Sequence, residues 1–209
     1  MYSPPQFREE RIPVLQQAIR ELAFGTLVTP GEFGFEASHL PMLMDPEPAP
    51  RGVLLGHMAR ANPQWKTLPA CARALAMFVG PNSFITPSWY ATKAETGKVV
   101  PTWNYIAIHA HGEIEFFDDP GRLREHVSRL TDAHEASRAI PWAVTDAPAD
   151  YIDKLLGGIV GFKLTIARLE GTWTMSQNRD EPDRAGVHAG LIQEGGAAQK
   201  AVAKIMAGQ

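Results

Sequence analysis

Apolar positions along the chain follow two periods. Near the start, Val14, Leu15, Ala18, Ile19 and Leu22 fall three and four apart, which predicts a helix opening at Pro13, a residue favoured in a first turn. The period then shortens to two. Residues 25–29 and 36–40 predict strands around a turn at 30–34, with Pro41 expected to end the second strand or place it at an edge. Residues 44–51 are proline-rich and polar and read as a loop. Residues 53–58, 74–79 and 83–86 predict three further strands, and 105–116 the clearest strand of all. Leu123, Val127 and Leu130 give residues 120–137 a helical stripe. A strand is expected over 159–168, then helices over 183–192 and 195–209.

Short strands joined mostly by turns, without regular strand–helix alternation, favour an antiparallel barrel with helices outside over a doubly wound sheet. The expected class is therefore mainly β or α+β, in one domain covering residues 1–209 with a helical C-terminal extension. A length of 209 residues with 44% hydrophobic and 21% charged side chains supports a full core without staples. A single cysteine, Cys71, excludes an intrachain disulfide and reads as a small buried thiol. The net charge of −3 and the lack of a Lys/Arg cluster give no nucleic-acid footprint. No basic n-region with an apolar run opens the chain, and no apolar stretch approaches the ~20 residues of a membrane span. A cytoplasmic protein is expected.

Four stretches carry candidate chemistry. In the first, Gly56 to Trp65, Asn62 before Pro63 is a cap and then a first-turn proline, so a helix is expected to start there. Its free N–H groups, with Arg60 just before and His57 at the strand end, describe a corner suited to a phosphate. An ordinary capped helix with one surface arginine fits the same residues. In the second, Thr86-Pro87 repeats the signature and predicts a helix to about Thr96, stopped by Gly97, with Ser88, Trp89 and Tyr90 in its first turn. The third, Trp103-Asn104 between Thr102 and Tyr105, suits a pocket rim or a buried turn. The fourth sets Ser176, Gln177, Asn178 and Arg179 after an apolar strand, where a solvated helix start is the plain alternative. His109 and His111 share a strand face, but no third ligand at suitable spacing completes a metal site. His126, His134 and His188 read as surface helix residues. Hydrolase, P-loop and dinucleotide-binding glycine signatures are absent.

The strings MYSPPQF, ASHLPMLMD, GHMARANPQW, GPNSFITPSWY, VPTWNY, IVGFKLTIARLEGTWTMSQNR and GVHAGL, in that order, resemble the PaiB-like family of FMN-binding negative transcriptional regulators. The resemblance implies a split barrel like that of pyridoxamine-phosphate oxidases, a homodimer, and FMN in clefts at the dimer interface. It places Ser38, His39 and Leu40 along the isoalloxazine and His57, Ala59, Arg60 and Asn62 at the phosphate, with Trp65 beside them. Trp103 and Asn104 approach from the second subunit, with Ser176, Gln177, Asn178 and Arg179 near the same cleft. The family pattern has a lysine near position 174, where this chain has Thr174. A regulatory or redox-sensing role is implied, through DNA or another regulatory partner, although no helix-turn-helix is legible. Two other functions suit such a barrel: a flavin oxidoreductase using NAD(P)H, and a haem-binding protein with His39 or His57 as axial ligand.

Overall fold

The structure, a computed structural model, describes residues 1–48, 50–69 and 72–208, so the reading of Cys71 lies outside the described residues. After a two-residue strand, β1 (Arg8–Glu9), helix α1 (Ile12–Leu22) buries Leu15, Gln16 and Ile19, three residues of one face. Strands β2 (Phe24–Gly31) and β3 (Gly34–Asp45) form an antiparallel hairpin. Pro41 does not end β3. Up to Pro41 the strand pairs with β2, and from Met42 it pairs with β4 (Val53–Ala59). The missing proline N–H therefore falls at the handover between partners.

The two strands expected over 74–79 and 83–86 are one strand, β5 (Ala72–Ile85). Its in–out alternation slips at Pro81-Asn82, where two successive residues face outward, and this slip disguised its continuity. The same slip at Ala167-Arg168 hides the length of β7 (Ile159–Thr174), which runs well past the expected end. The helix expected from Pro87 to Thr96 is split. A 3₁₀ turn, Pro87–Trp89, ends at Tyr90 in extended backbone (φ −79°, ψ 128°), and α2 (Thr92–Thr96) comes next, closed by Gly97 at φ 67°. Between β6 (Thr102–Phe117) and β7 lie α3 (Pro120–Glu135), capped by Asp119, and α4 (Ala149–Leu156), which periodicity did not reveal. Helices α5 (Glu181–Glu194) and α6 (Ala197–Ala207) complete the chain.

The strand order is β1-β7-β4-β3-β2-β5-β6, and β6 also pairs with β7, which closes the ladder. The pairings of β1, β2, β3, β4 and β7 are antiparallel, as are those of β2 with β5. This is the expected antiparallel split barrel with peripheral helices.

The chain forms two compact units. One comprises Ile12–Phe78 and His109–Leu169. Its core includes the fully buried Leu27, Leu54, Phe78 and Phe162. Gly56 is required there, because a Cβ would meet the Phe162 ring at 2.3 Å. A smaller cluster of Phe117, Leu123, Val144, Ile152 and Leu156 seats α3 and α4. The other unit comprises Met1–Arg11, Val79–Ile108 and Glu170–Gln209, with Val187, Leu191, Val202 and Ala203 fully buried on α5 and α6.

Candidate functional site

In the first unit the corner after β4 is organised around Gln64. Asn62 caps the turn that succeeds it, its side chain accepting from the Gln64 N–H at 2.9 Å. The turn is a single 3₁₀ turn, Pro63–Trp65, and not the expected helix. The Gln64 side chain is drawn into the β2–β3 hairpin instead: its Nε2 donates to Thr29 Oγ1 at 3.0 Å and to the Leu27 and Glu36 carbonyls, both at 3.3 Å. Ser38 Oγ donates to Gln64 Oε1 at 2.6 Å, and Asn62 Nδ2 donates to Ser38 Oγ at 2.9 Å. Every polar atom of a side chain only 2% exposed is thereby satisfied. One turn has too few aligned peptides for an anion-binding dipole, so the phosphate corner argued from a helix start does not exist in that form.

Arg60 takes up a structural task. Its Nε donates to the Gly157 carbonyl at 2.9 Å, Nη2 to Ile159 O at 3.2 Å, and Nη1 pairs with Asp118 at 3.2 Å. Trp65 Nε1 donates to the Arg60 carbonyl at 3.1 Å. The fork that a phosphate would need is spent on two carbonyls and a carboxylate. Ala59 pairs with Ile159, and His57 with Gly161, on the β4–β7 ladder. His39, exposed on β3, bonds Thr26 across the hairpin at 2.9 Å, and Leu40 lies opposite Gly25.

His57 also meets His126 of α3, Nδ1 to Nε2, at 3.0 Å. His126 is buried and not at the surface as its helical spacing suggested, because the α3 face that carries it packs inward with Leu123 and Leu130. Burial lowers the affinity of both rings for a proton, that of His126 to a pKa of about 4, with the charges of His57 and Arg129 adding to the effect.

The same unit holds an open cleft of about 640 Å³ lined by β5, β6 and β7. Arg73, His111, Glu113, Thr165 and Arg168 face it. Arg168 Nη2 lies 3.0 Å from His111 Nε2. A guanidinium cannot accept, so His111 Nε2 accepts and its proton sits on Nδ1. Beneath them β6 and β7 approach closely at Gly112, where a Cβ would sit 1.9 Å from the Thr165 carbonyl oxygen. The spacing put His109 and His111 on one strand face, but nothing in the sequence joined His111 to Arg73 and Arg168, 38 and 57 positions distant.

The remaining expected residues lie in the second unit. Asn104 is buried and exchanges two hydrogen bonds with Ser176, at 3.0 and 3.2 Å. Ser176 sits in left-handed backbone at φ 60°. Gln177 folds back on its own chain, accepting from Met175 N and donating to Trp173 O, both at 2.6 Å. The Arg179 guanidinium lies over the Tyr90 ring at 4.6 Å, and Asn178 is exposed. Trp103, half exposed, meets Phe84 edge to face at 6.1 Å.

A family model described as "Putative FMN-binding domain" matches residues 1–168. The chain belongs to this FMN-binding-domain family. Protease synthase and sporulation protein PAI 2 of Bacillus subtilis is 32% identical over 206 residues, covering 99% of this chain and 96% of that protein. An uncharacterized protein of Emericella nidulans is 36% identical over 241 residues, with 99% and 96% covered. The resemblance to the PaiB-like family is thereby borne out. Among solved structures, the FAD and heme binding protein from Mycobacterium smegmatis superimposes with a TM-score of 0.60 at 14% identity, covering 90% of this chain and 80% of that one. The flavocytochrome Anf3 from Azotobacter vinelandii gives 0.55 at 14% identity, covering 82% and 72%. At those identities the structures show the shared fold alone.

Membership of the FMN-binding-domain family assigns FMN as the cofactor, and this chain's own residues fit it. The cleft volume of about 640 Å³ lies within the ~300–1,000 Å³ of small-molecule sites. Its lining offers guanidinium donors for an anionic end and a carboxylate and a hydroxyl for neutral polar groups. Among the described residues no three His, Cys, Asp or Glu side chains gather into a metal-binding group, and no helix is long and apolar enough to cross a membrane.

Proposed function

We propose that this protein is a homodimeric flavin-binding regulator, in which FMN occupancy or redox state alters contacts with DNA or another regulatory partner. The observation that carries the reading is the family match along residues 1–168, which takes in almost the whole barrel. The 32% identity to PAI 2 over 99% of this chain, a protease synthase and sporulation protein by name, supports the regulatory role. Exposed aromatic side chains on the β2–β3 hairpin, Phe24 at 61%, Phe33 at 90% and Phe35 at 80%, support a surface covered by a second copy.

In this reading the β3 segment Ser38, His39 and Leu40 lies along the ring. Gln64 and Asn62 hold it in place through Ser38, while Arg60, Ala59 and Trp65 fix the corner behind it. His57, half-buried against His126, is the β4 residue assigned to the phosphate end in this reading. Trp103 and Asn104 serve from the other copy, with Gln177, Asn178 and Arg179 near the same cleft. When bound, FMN supplies one- and two-electron chemistry, and the protein supplies binding, orientation and exclusion of water.

The test is the visible spectrum after incubation with excess FMN and desalting, together with the mass in solution. Flavin bands near one per chain on a dimer are expected. A monomer that keeps no flavin overturns the proposal. Anaerobic NADH or NADPH separates a regulator from an oxidoreductase, because only an oxidoreductase bleaches the flavin through many turnovers. Cytoplasmic residence belongs to the same proposal, and fractionation of the source cells tests it.

A further inference from the structure

We propose that the hollow between α5 and α6 is the seat of a small organic monocarboxylate, its charged end held by Arg184 and His188 and its apolar body resting on Met206. The site lies wholly within the second unit and is independent of the flavin reading.

Three observations carry it. First, Glu181, Arg184, Ala185 and His188 recur at helical spacing on one face of α5, and with Met206 and Ala207 of α6 they line a cavity of about 320 Å³. That volume suits a compact ligand, at the lower end of the ~300–1,000 Å³ of small-molecule sites. Second, the guanidinium of Arg184 is uncommitted. Its Nε is buried without a hydrogen-bond partner, and Glu181 stands 3.9 Å from Nη1, outside hydrogen-bond reach. Glu181 is itself 83% exposed, so water screens most of that attraction. Asp183, the buried carboxylate one position earlier, is turned away to accept from the Thr92 N–H at 2.9 Å. A carboxylate takes two N–H groups of such a fork at once, and an arginine unpaired at a cavity wall offers that geometry. Third, His188 stands one turn on from Arg184, half-buried in the same wall and not at the open surface that its spacing suggested. Its ring N–H is placed to donate to the same carboxylate.

The facing wall is apolar and fixed. Met206 is 5% exposed, and its Sδ accepts from Asn104 Nδ2 at 3.4 Å, which ties α6 to the start of β6. Val187 and Leu191 of α5 and Val202 and Ala203 of α6 are fully buried, so both walls are held before a ligand arrives. An unpaired cation beside an apolar wall selects a ligand with one charged end and a hydrocarbon body. Glu181 at the rim selects against a polyanion, whose further charges it repels.

The experiment titrates three probes into the full chain, without flavin, by ligand-observed NMR. Hexanoate carries the charge and the body, hexanol the body alone, and inorganic phosphate an anion without the body. Hexanoate is expected to bind about tenfold more tightly than either control. Arg184→Gln is expected to lose that margin and to keep the melting temperature of the wild type, because no hydrogen bond ties the guanidinium to the described chain. His188→Ala is expected to weaken hexanoate severalfold and leave hexanol unchanged, and Glu181→Gln to tighten hexanoate. Equal binding of hexanoate and hexanol, tighter binding of phosphate, or no binding of hexanoate overturns the proposal, as does an Arg184→Gln variant that binds hexanoate like the wild type. If Arg184→Gln fails to fold, His188→Ala and Glu181→Gln decide: shifts in the two expected directions support the seat, and any other result removes it.

Discussion

His57 Nδ1 and His126 Nε2 lie 3.0 Å apart, one on β4 and the other on α3, so the two imidazoles share a single proton between those atoms. The other ring nitrogen of His126, Nδ1, is buried without a hydrogen-bond partner. If His57 donated, that nitrogen would carry a buried N–H with nothing to bond. Donation from His126 leaves only a lone pair there, and orphaned buried N–H groups are the rarer kind. His57 is then left with its proton on Nε2.

The pair predicts a pH dependence of stability. The folded-state pKa of His126 is depressed from 6.5 to about 4, so the unfolded chain takes up the proton first as pH falls. The stabilising contribution is complete above about pH 6.5 and is lost progressively toward pH 4, on the order of 3 kcal/mol in all. Arg122, Glu125 and Arg129 line the adjoining pocket of about 140 Å³, and the charge on Arg129 works in the same direction. Urea melts from pH 7 to 4 check this. His126→Phe should flatten the slope, and an undiminished slope in that variant would place the titration elsewhere.

Gln64→Ala should destabilise the first unit by about 3 kcal/mol, because it strands Ser38, Thr29 and two carbonyls at once. Asn62→Ala removes a cap and one bond to Ser38 and should cost only ~1 kcal/mol. Chemical denaturation of the two variants side by side gives the ranking. Equal losses would mean that Gln64 is not the hub of the corner.

Arg60→Ala should lower stability by about 1–2 kcal/mol through the freed carbonyls of Gly157 and Ile159. Arg60→Lys should recover less than half of this. Neither change should alter the ratio of FMN to riboflavin affinity. A selective loss of FMN in Arg60→Ala would return the phosphate to the corner that the sequence suggested.

Ala23 ends α1 in left-handed backbone at φ 53°, a conformation that glycine adopts without the Cβ penalty. Ala23→Gly should therefore stabilise the protein by roughly 0.5–1 kcal/mol, seen as a raised melting temperature. A lowered melting temperature would show that the Ala23 methyl contributes more by packing than it costs in strain.

Gly190 on α5 lies against the Trp89 indole, where a Cβ would approach to 2.3 Å. Gly190→Ala should cost about 1–3 kcal/mol by overpacking. A shift in tryptophan fluorescence should accompany the loss. Unchanged emission and stability would mean that the indole swings clear.

The sequence by itself determined the class of this fold. The alternation of 105–116, the turn at 30–34 and the helical stripe of α3 depend on neighbours within a few positions, and local periodicity records such neighbours directly. The caps at Asn62 and Thr86 were legible for the same reason, and both side chains accept from the backbone two residues on. The motif strings also carried the family. The backbone beyond each cap was decided by distant contacts. The side chain of Gln64 is pulled between two strands far from it in sequence, and Tyr90 takes extended backbone before α2, so both helices that the caps announced stop after one turn. Slips in alternation at Pro81-Asn82 and Ala167-Arg168 hid two long strands, because a strand is continuous through its partner's hydrogen bonds and not through its own pattern. Only the tertiary structure buried His126 against His57, spent Arg60 on Gly157 and Ile159, and brought Arg73 to the same cleft as Arg168. Such pairings are set by which strands lie side by side, and no spacing along a single chain encodes that distance.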